Sequence, residues 1–224
     1  MNSRDKPKLI IFASGTKDGG GSGFENLTHA TLAGVLDACV VAVVSNHENG
    51  GVRERAERLG VPFVHFECRT SDVLQRAAMY EKIVAETGAE WVALSGWLKL
   101  VSGLDPAHTF NIHPALLSQL GGRFGGHGMY GHHIHDAVKV ALDAGEISES
   151  GFTMHFVTEE MDRGPVFFEH RVPLQRGMSA DDIAKAVNKA EHEWQPKITN
   201  MVVHGHIVWD GKDPSSLVVP RELP

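Results

Sequence analysis

Cysteine is scarce in this chain. Cys39 and Cys68 are the only two among 224 residues, so no disulfide framework is indicated and no cysteine spacing of a metal site exists. Long apolar runs are also missing: none approaches the roughly 20 residues that a membrane span needs. Met1 to Lys8 is polar and lacks the apolar core of a secretion signal. A reducing, cytoplasmic setting is therefore expected, without membrane contact. Basic residues are outnumbered, with 21 Lys and Arg against 28 Asp and Glu, and the formal net charge is −7 with neutral His. No basic face for nucleic acid follows. An anionic small molecule stays open, because local loops bind phosphate whatever the global charge.

What is present is an ordinary globular composition, 42% hydrophobic and 22% charged. The length suits one large domain or two small ones. Neither an internal repeat nor a dividing linker is visible, so a single domain over 1–224 is expected, with a folded core at 8–211 and a weakly specified tail. Lys8 to Ser14 and Cys39 to Ser45 are short continuous apolar runs, the pattern of strands buried on both faces. Val61 to Phe66, Trp91 to Ser95 and Phe110 to Ile112 read as further strands. Helical spacing recurs in Phe24, Leu27, Thr31 and Val35, and Arg53 to Leu59 is a short helix closed by Gly60. Ser71 to Thr87 is a longer helix, with Val73, Leu74, Ala77, Ala78, Ile83 and Val84 on one face and Gly88 as its stop. Strand and helix in alternation predict a parallel sheet with right-handed crossovers.

Further along, a glycine-dense loop spans Gly121 to Gly131. The helix after it buries Ile134, Ala137, Val138, Ala141 and Leu142. Gly151 to Thr158 and Val166 to Val172 read as an antiparallel pair on one sheet edge. Ser179 with Asp182 resembles an N-terminal cap and opens a helix through Trp194, which Pro196 should kink or interrupt. The fold class is thus α/β: doubly wound, mostly parallel, with helices on both faces and an antiparallel edge.

Three constellations carry chemistry. The loop Ser14-Gly-Thr-Lys-Asp-Gly-Gly-Gly-Ser-Gly23 joins the first strand to the first helix, where open α/β sheets bind ligands. Its glycines let backbone amides approach a phosphate beside a helix N-terminus. It matches neither the dinucleotide fingerprint, since Phe24 occupies the last glycine position, nor the P-loop, since Gly21 stands where Lys is required. Asn111 and His113, two apart on a strand, project to one face. An amide and an imidazole so placed can stabilise the oxyanion of a tetrahedral intermediate. Asp162, in a turn between two strands, can raise the imidazole pKa and accept a proton from an attacking amine. Each of these also has a plain structural reading when taken alone: a surface turn, a satisfied histidine, a solvated acidic turn. His127, His132, His133 and His135 lack a Cys or acidic partner to complete a zinc set, so no metal is expected.

Six segments in order resemble the folate-dependent formyltransferases, most closely those of purine synthesis. They are Gly-Gly-Ser-Gly-Phe-Glu-Asn-Leu27, Leu94-Ser-Gly-Trp-Leu-Lys-Leu-Val101, Asn-Ile-His-Pro-Ala-Leu-Leu117, Thr153-Met-His-Phe-Val157, Asp-Arg-Gly-Pro-Val166 and Glu191-His192. The resemblance implies a Rossmann-like formyltransferase fold and 10-formyltetrahydrofolate as co-substrate. It implies the amine of glycinamide ribonucleotide as acceptor, and small molecules as the partners. A homodimer is compatible with it. Asn111, His113 and Asp162 match the family's catalytic trio, and His155 a supporting histidine. Gly21, Ser22 and Gly23 match its phosphate loop. Leu98, Lys99, Leu100, Val101 and Val157 match its folate cleft, and Glu191 matches a residue near the acceptor's ribose and amine. Arg76 approximately replaces a phosphate-binding arginine. The chain departs from the family in a longer phosphate loop, in Gly23 where many relatives carry Asn, and in a longer Gly121 to Gly131 loop. A different amine acceptor such as an amino sugar nucleotide, a folate deformylase using water, and a catalytically silent folate or nucleotide sensor are the competing readings.

Overall fold

The computed structural model describes residues 6–224; the first residues of the polar start of the chain, 1–5, lie outside the described residues. One seven-stranded sheet organises the molecule. Its strands are β1 (Lys8–Phe12), β2 (Cys39–Ser45), β3 (Phe63–His65), β4 (Trp91–Ser95), β5 (Thr109–His113), β6 (Glu149–Phe156) and β7 (Val166–Pro173). The spatial order is β3-β2-β1-β4-β5-β6-β7. The first five pair in parallel, whereas β5 with β6 and β6 with β7 are antiparallel. The expected mixed sheet with an antiparallel edge is therefore observed. The helices are α1 (Ser22–Leu32), α2 (Gly51–Leu59), α3 (Val73–Thr87), α4 (His132–Asp143) and α5 (Ala180–Val203).

Period-two alternation in β1 divides the core. Leu9, Ile11 and Ala13 join the cluster that includes residues of α1, α2, α4 and α5. Ile10 and Phe12 join a smaller one on the opposite face, where α3 contributes Tyr80 and Ile83. Both faces are covered, which is why the central strands read as unbroken apolar runs. After β1 the chain winds outward to β2 and β3, then returns to β4 on the other side of β1. The crevice above the carboxyl ends of β1 and β4 is thus the switch point of the sheet, where ligands bind in such folds.

The structure corrects several local expectations. Val73 and Leu74 are 57% and 80% exposed. Asp72 caps α3 by accepting the Gln75 amide at 3.0 Å, and burial against the sheet begins only two turns later, at Tyr80. Val35 is 48% exposed because α1 ends at Leu32 and Gly34 turns the chain with φ of +75°. Pro196 does not interrupt α5, which runs unbroken for 24 residues. A helix proline deprives the carbonyl four residues earlier of its donor. Here the side-chain amide of Asn26 donates to that carbonyl, His192 O, at 2.8 Å, and the helix continues.

The tail beyond 211 is also better specified than expected. Asp213 caps a single 3-10 turn, Pro214–Ser216, and Trp209 Nε1 donates to Asp213 O at 2.8 Å. Val208 and Val218 form an isolated antiparallel bridge, and Leu217, Val219 and Leu223 pack on the larger core cluster. The folded region therefore continues past the expected limit.

Phe110, on β5, is 1% exposed, and its ring meets Phe167 edge-on at 6.4 Å. Phe110→Ala is expected to cost roughly 3–5 kcal/mol, read as a lowered urea midpoint with an unchanged slope. A wild-type midpoint would contradict this placement of β5.

Candidate active site

The glycine-rich loop after β1 is a braced structure. Thr16 N donates to Gly19 O at 2.8 Å, closing a small bridge. The loop lies directly on the start of α2: a Cβ on Gly51 would stand 2.5 Å from the Gly19 backbone, and one on Gly20 2.5 Å from Gly15 Cα. Glu25 on α1 pairs with Arg55 at 2.8 Å and Arg58 at 2.6 Å, tying α2 to α1. Gly21, with φ of +80°, is the N-cap of α1, and among the described residues no side chain caps this end. The first helical bond is Glu25 N to Gly21 O. The amides of Ser22, Gly23 and Phe24 precede it, the arrangement that receives an anion at a helix N-terminus.

The second constellation is built by strand pairing. Asn111 on β5 is directly opposite His155 on β6, and its Nδ2 donates to His155 Nε2 at 3.1 Å. His155 Nδ1 donates in turn to Phe156 O at 2.8 Å, which fixes the ring. His113 shares its face with Asn111, and its Nε2 donates to Phe124 O at 2.6 Å. Thr153, opposite His113, holds the following turn: its hydroxyl donates to Ala115 O at 2.7 Å and accepts the Leu117 amide.

Asp162 reaches these groups from the turn between β6 and β7. It adopts φ of +55°, a left-handed conformation that Asp tolerates better than most residues. Gly164, two residues on, leaves no room for a side chain, since its Cβ would fall 1.8 Å from Phe156 O. Asp162 Oδ2 accepts the Gly126 amide at 2.8 Å and lies 3.6 Å from His113 Nδ1. Oδ1 lies 3.5 Å from His155 Nε2. The long Gly121 to Gly131 loop thus supplies a donor to the carboxylate, a role its composition did not disclose. Burial alone would raise the Asp162 pKa. His155, His113 and the Gly126 amide together outweigh it and hold the carboxyl below its usual range. Burial lowers His113 despite the opposing pull of Asp162 and the Phe124 carbonyl.

Two cavities meet here. One is lined by the trio, His155, Leu98 to Val101, Val157 and the Met129–Tyr130 part of the long loop. All five positions expected to form a folate cleft line it. Its wall is steadied by α3: Trp97 Nε1 donates to the Tyr80 hydroxyl at 3.0 Å, and that hydroxyl donates to Leu100 O at 3.2 Å. Desolvation raises the Tyr80 pKa, so the phenol remains a neutral donor. The other cavity is lined by Gly20 to Gly23, Ser95, Glu191, His192 and Gln195. Gly96, Leu98, Ile112, Pro114 and Gly131 border both.

Glu191 lies in the second cavity, bonded by Asn188 Nδ2 at 3.3 Å, and burial pushes its carboxyl up to about 7. Arg76 is not brought there: its Nε donates to Ser102 Oγ at 3.1 Å on α3's side, and it does not line the cavity beside the glycine-rich loop. His135, His192 and Gln195 were missed as cavity residues. His135 belongs to the incomplete zinc set of the sequence, yet its three- and seven-residue spacing from Val138 and Leu142 marks the buried face of α4. It is 8% exposed with Nδ1 unpartnered among the described residues, and burial pushes it down to about 4.

Residues 7–199 match the formyl transferase family model. The chain is 32% identical over 211 residues to a chloroplastic phosphoribosylglycinamide formyltransferase of Arabidopsis thaliana, covering 91% of this chain and 68% of that one. It is 29% identical to the phosphoribosylglycinamide formyltransferase of Bacillus subtilis, covering 88% of this chain and 94% of the relative. Among solved structures, glycinamide ribonucleotide transformylase 1 from Symbiobacterium toebii superposes with a TM-score of 0.79 at 25% identity. That likeness covers 96% of this chain and 95% of the other.

A histidine with a lowered folded pKa stabilises fully above its unfolded value and loses that contribution as pH falls toward the folded value. For His135 the window runs from its ordinary 6.5 down to about 4. His135→Asn is expected to show a smaller drop in Tm between about pH 7 and pH 5 than wild type. Equal drops would contradict the buried, neutral imidazole.

Proposed function

The chain belongs to the formyl transferase family, and we propose that it transfers the formyl group of 10-formyltetrahydrofolate to the amine of glycinamide ribonucleotide in purine biosynthesis. The observation that carries this reading is the junction of two unlike cavities beside Asn111 and His113. One is apolar-walled and suits the folate's ring system. The other presents helix-terminal amides for a phosphate and Glu191 for the acceptor's ribose and amine. A transferase needs two substrates whose reacting atoms approach each other, and positioning of this kind supplies much of the rate.

In this reading the acceptor's nitrogen attacks the formyl carbon. The oxyanion that forms is met by the amide of Asn111, which has one N–H beyond the one given to His155. The His113 imidazole, whose Nε2–H is engaged by Phe124, adds a second donor once Nδ1 is protonated beside the Asp162 carboxylate. The attacking nitrogen must lose a proton and the folate nitrogen must gain one. Asp162, held ionised beside Nδ1, is suited to carry it, directly or through water. Collapse of the intermediate breaks the bond to the folate nitrogen and leaves the formamide and tetrahydrofolate.

The test is to mix protein with 10-formyltetrahydrofolate and follow its deformylation with and without glycinamide ribonucleotide. Turnover only with that acceptor is expected. Turnover with another amine alone would sink the assignment of acceptor, and equal turnover without any amine would favour a hydrolase. Asp162→Asn is expected to reduce kcat by about 10²–10⁴-fold with folate affinity near wild type. Asn111→Ala should lose about 10²–10³-fold. Near-normal turnover in either variant would remove that residue from the mechanism.

A further inference from the structure

Pro196 leaves the carbonyl of His192 without a helical donor, and the structure fills the vacancy from another element. The Asn26 side-chain amide, on α1, donates to His192 O at 2.8 Å. The two residues belong to the two helices that frame the phosphate-loop cavity. Asn26 is four residues after Ser22, hence one turn along the same face of α1. His192 follows Glu191 on α5. Ser22, Gly23, Glu191 and His192 all line that cavity. A second tie lies one turn along α5, where buried Gln195 donates through Nε2 to Ser95 Oγ at 3.1 Å. Ser95 in turn sits so close to Gly23 that a Cβ there would approach its Oγ to 2.2 Å.

An internal proline is where a helix bends, because the orphaned carbonyl swings out toward any donor it can find. Here the bend would occur within one turn of Glu191. We propose that Asn26 is a positioning residue for the acceptor. By holding the proline-orphaned carbonyl of α5, it sets the separation between the helix-terminal amides of α1 and the Glu191 carboxylate. The inference rests on the acceptor reading given above and adds to it a residue that touches neither substrate. It also accounts for an amide side chain at a position that faces another helix rather than solvent.

The test is a rescue experiment. Asn26→Leu keeps the side-chain volume and removes the donor; Asn26→Ala removes both. Each is expected to raise KM for glycinamide ribonucleotide about threefold to tenfold, with kcat and the KM for 10-formyltetrahydrofolate within about twofold. Pro196→Ala returns an N–H within reach of His192 O. In Asn26→Leu/Pro196→Ala the acceptor KM should fall back to within about twofold of wild type. An unchanged acceptor KM in both single variants, a parallel rise in folate KM, or a rise that Pro196→Ala fails to reverse would overturn the proposal. Hydrogen exchange without substrate reads the same tie independently of activity. Amides 192–195 should exchange faster in Asn26→Leu and recover in the double variant, and unchanged exchange overturns the inference. Wild-type protein that forms no product with glycinamide ribonucleotide would instead defeat the acceptor reading.

Discussion

The carboxylate of Asp162 is the point on which the site depends. It is nearly buried, with 8% side-chain exposure, and a buried charge survives only where donors replace the water it has lost. The Gly126 amide of the long loop supplies the direct bond, and the imidazoles of His113, at the end of β5, and His155, on β6, stand 3.6 and 3.5 Å away and favour the negative charge. The carboxylate therefore specifies how a loop, a parallel strand and an antiparallel strand sit relative to one another. Its own left-handed backbone is a local cost that this surrounding contact offsets. Removing the carboxylate would strip the Gly126 amide of its acceptor and His113 and His155 of the group within reach of both, which is why the site and the sheet edge are one construction.

Topology explains why these groups face a crevice. The switch from β1 to β4 opens the carboxyl ends of two neighbouring strands, and the glycine-rich loop and the Ser95 to Val101 segment leave from those ends. The antiparallel addition of β6 places His155 across from Asn111. A sixth parallel strand would instead run its own carboxyl end beside β5 and offer a different pairing. The glycines of the loop after β1 act chiefly through absence of volume. The loop, α2 and α1 approach closely enough that side chains at Gly20 and Gly51 would collide with backbone. The loop is long but braced, so its amides are held for a ligand before one arrives.

Much of this was legible in the sequence. Strands buried on both faces leave unbroken apolar runs, and β1 and β2 carry that mark. Gly60 and Gly88 announced the ends of α2 and α3, and both adopt the left-handed conformation. The Asn111–His113 spacing correctly implied a shared face, and the positions expected to form a folate cleft all line one cavity. What escaped was set by contacts distant in sequence. Periodicity cannot tell where a helix passes beyond the edge of its sheet, so Val73 and Leu74 were assigned to the core. Pro196 was read by its local rule, and the rule was overridden from 170 residues away, by Asn26. The Gly121 to Gly131 loop showed its freedom in its composition but not the amide it gives to Asp162. The tail's order depends on Trp209 and the Asp213 cap, which are weak signals one at a time.

In the proposed function the formyl group passes directly between the two substrates at the junction of the two cavities. Run in ¹⁸O-labelled water with unlabelled 10-formyltetrahydrofolate and glycinamide ribonucleotide, the reaction tests it by mass spectrometry of the product. Direct attack keeps the formyl oxygen on its carbon throughout, so the formamide should carry no label and no labelled formate should accumulate. Label in the formamide, or labelled formate in step with folate consumption, would contradict the claim.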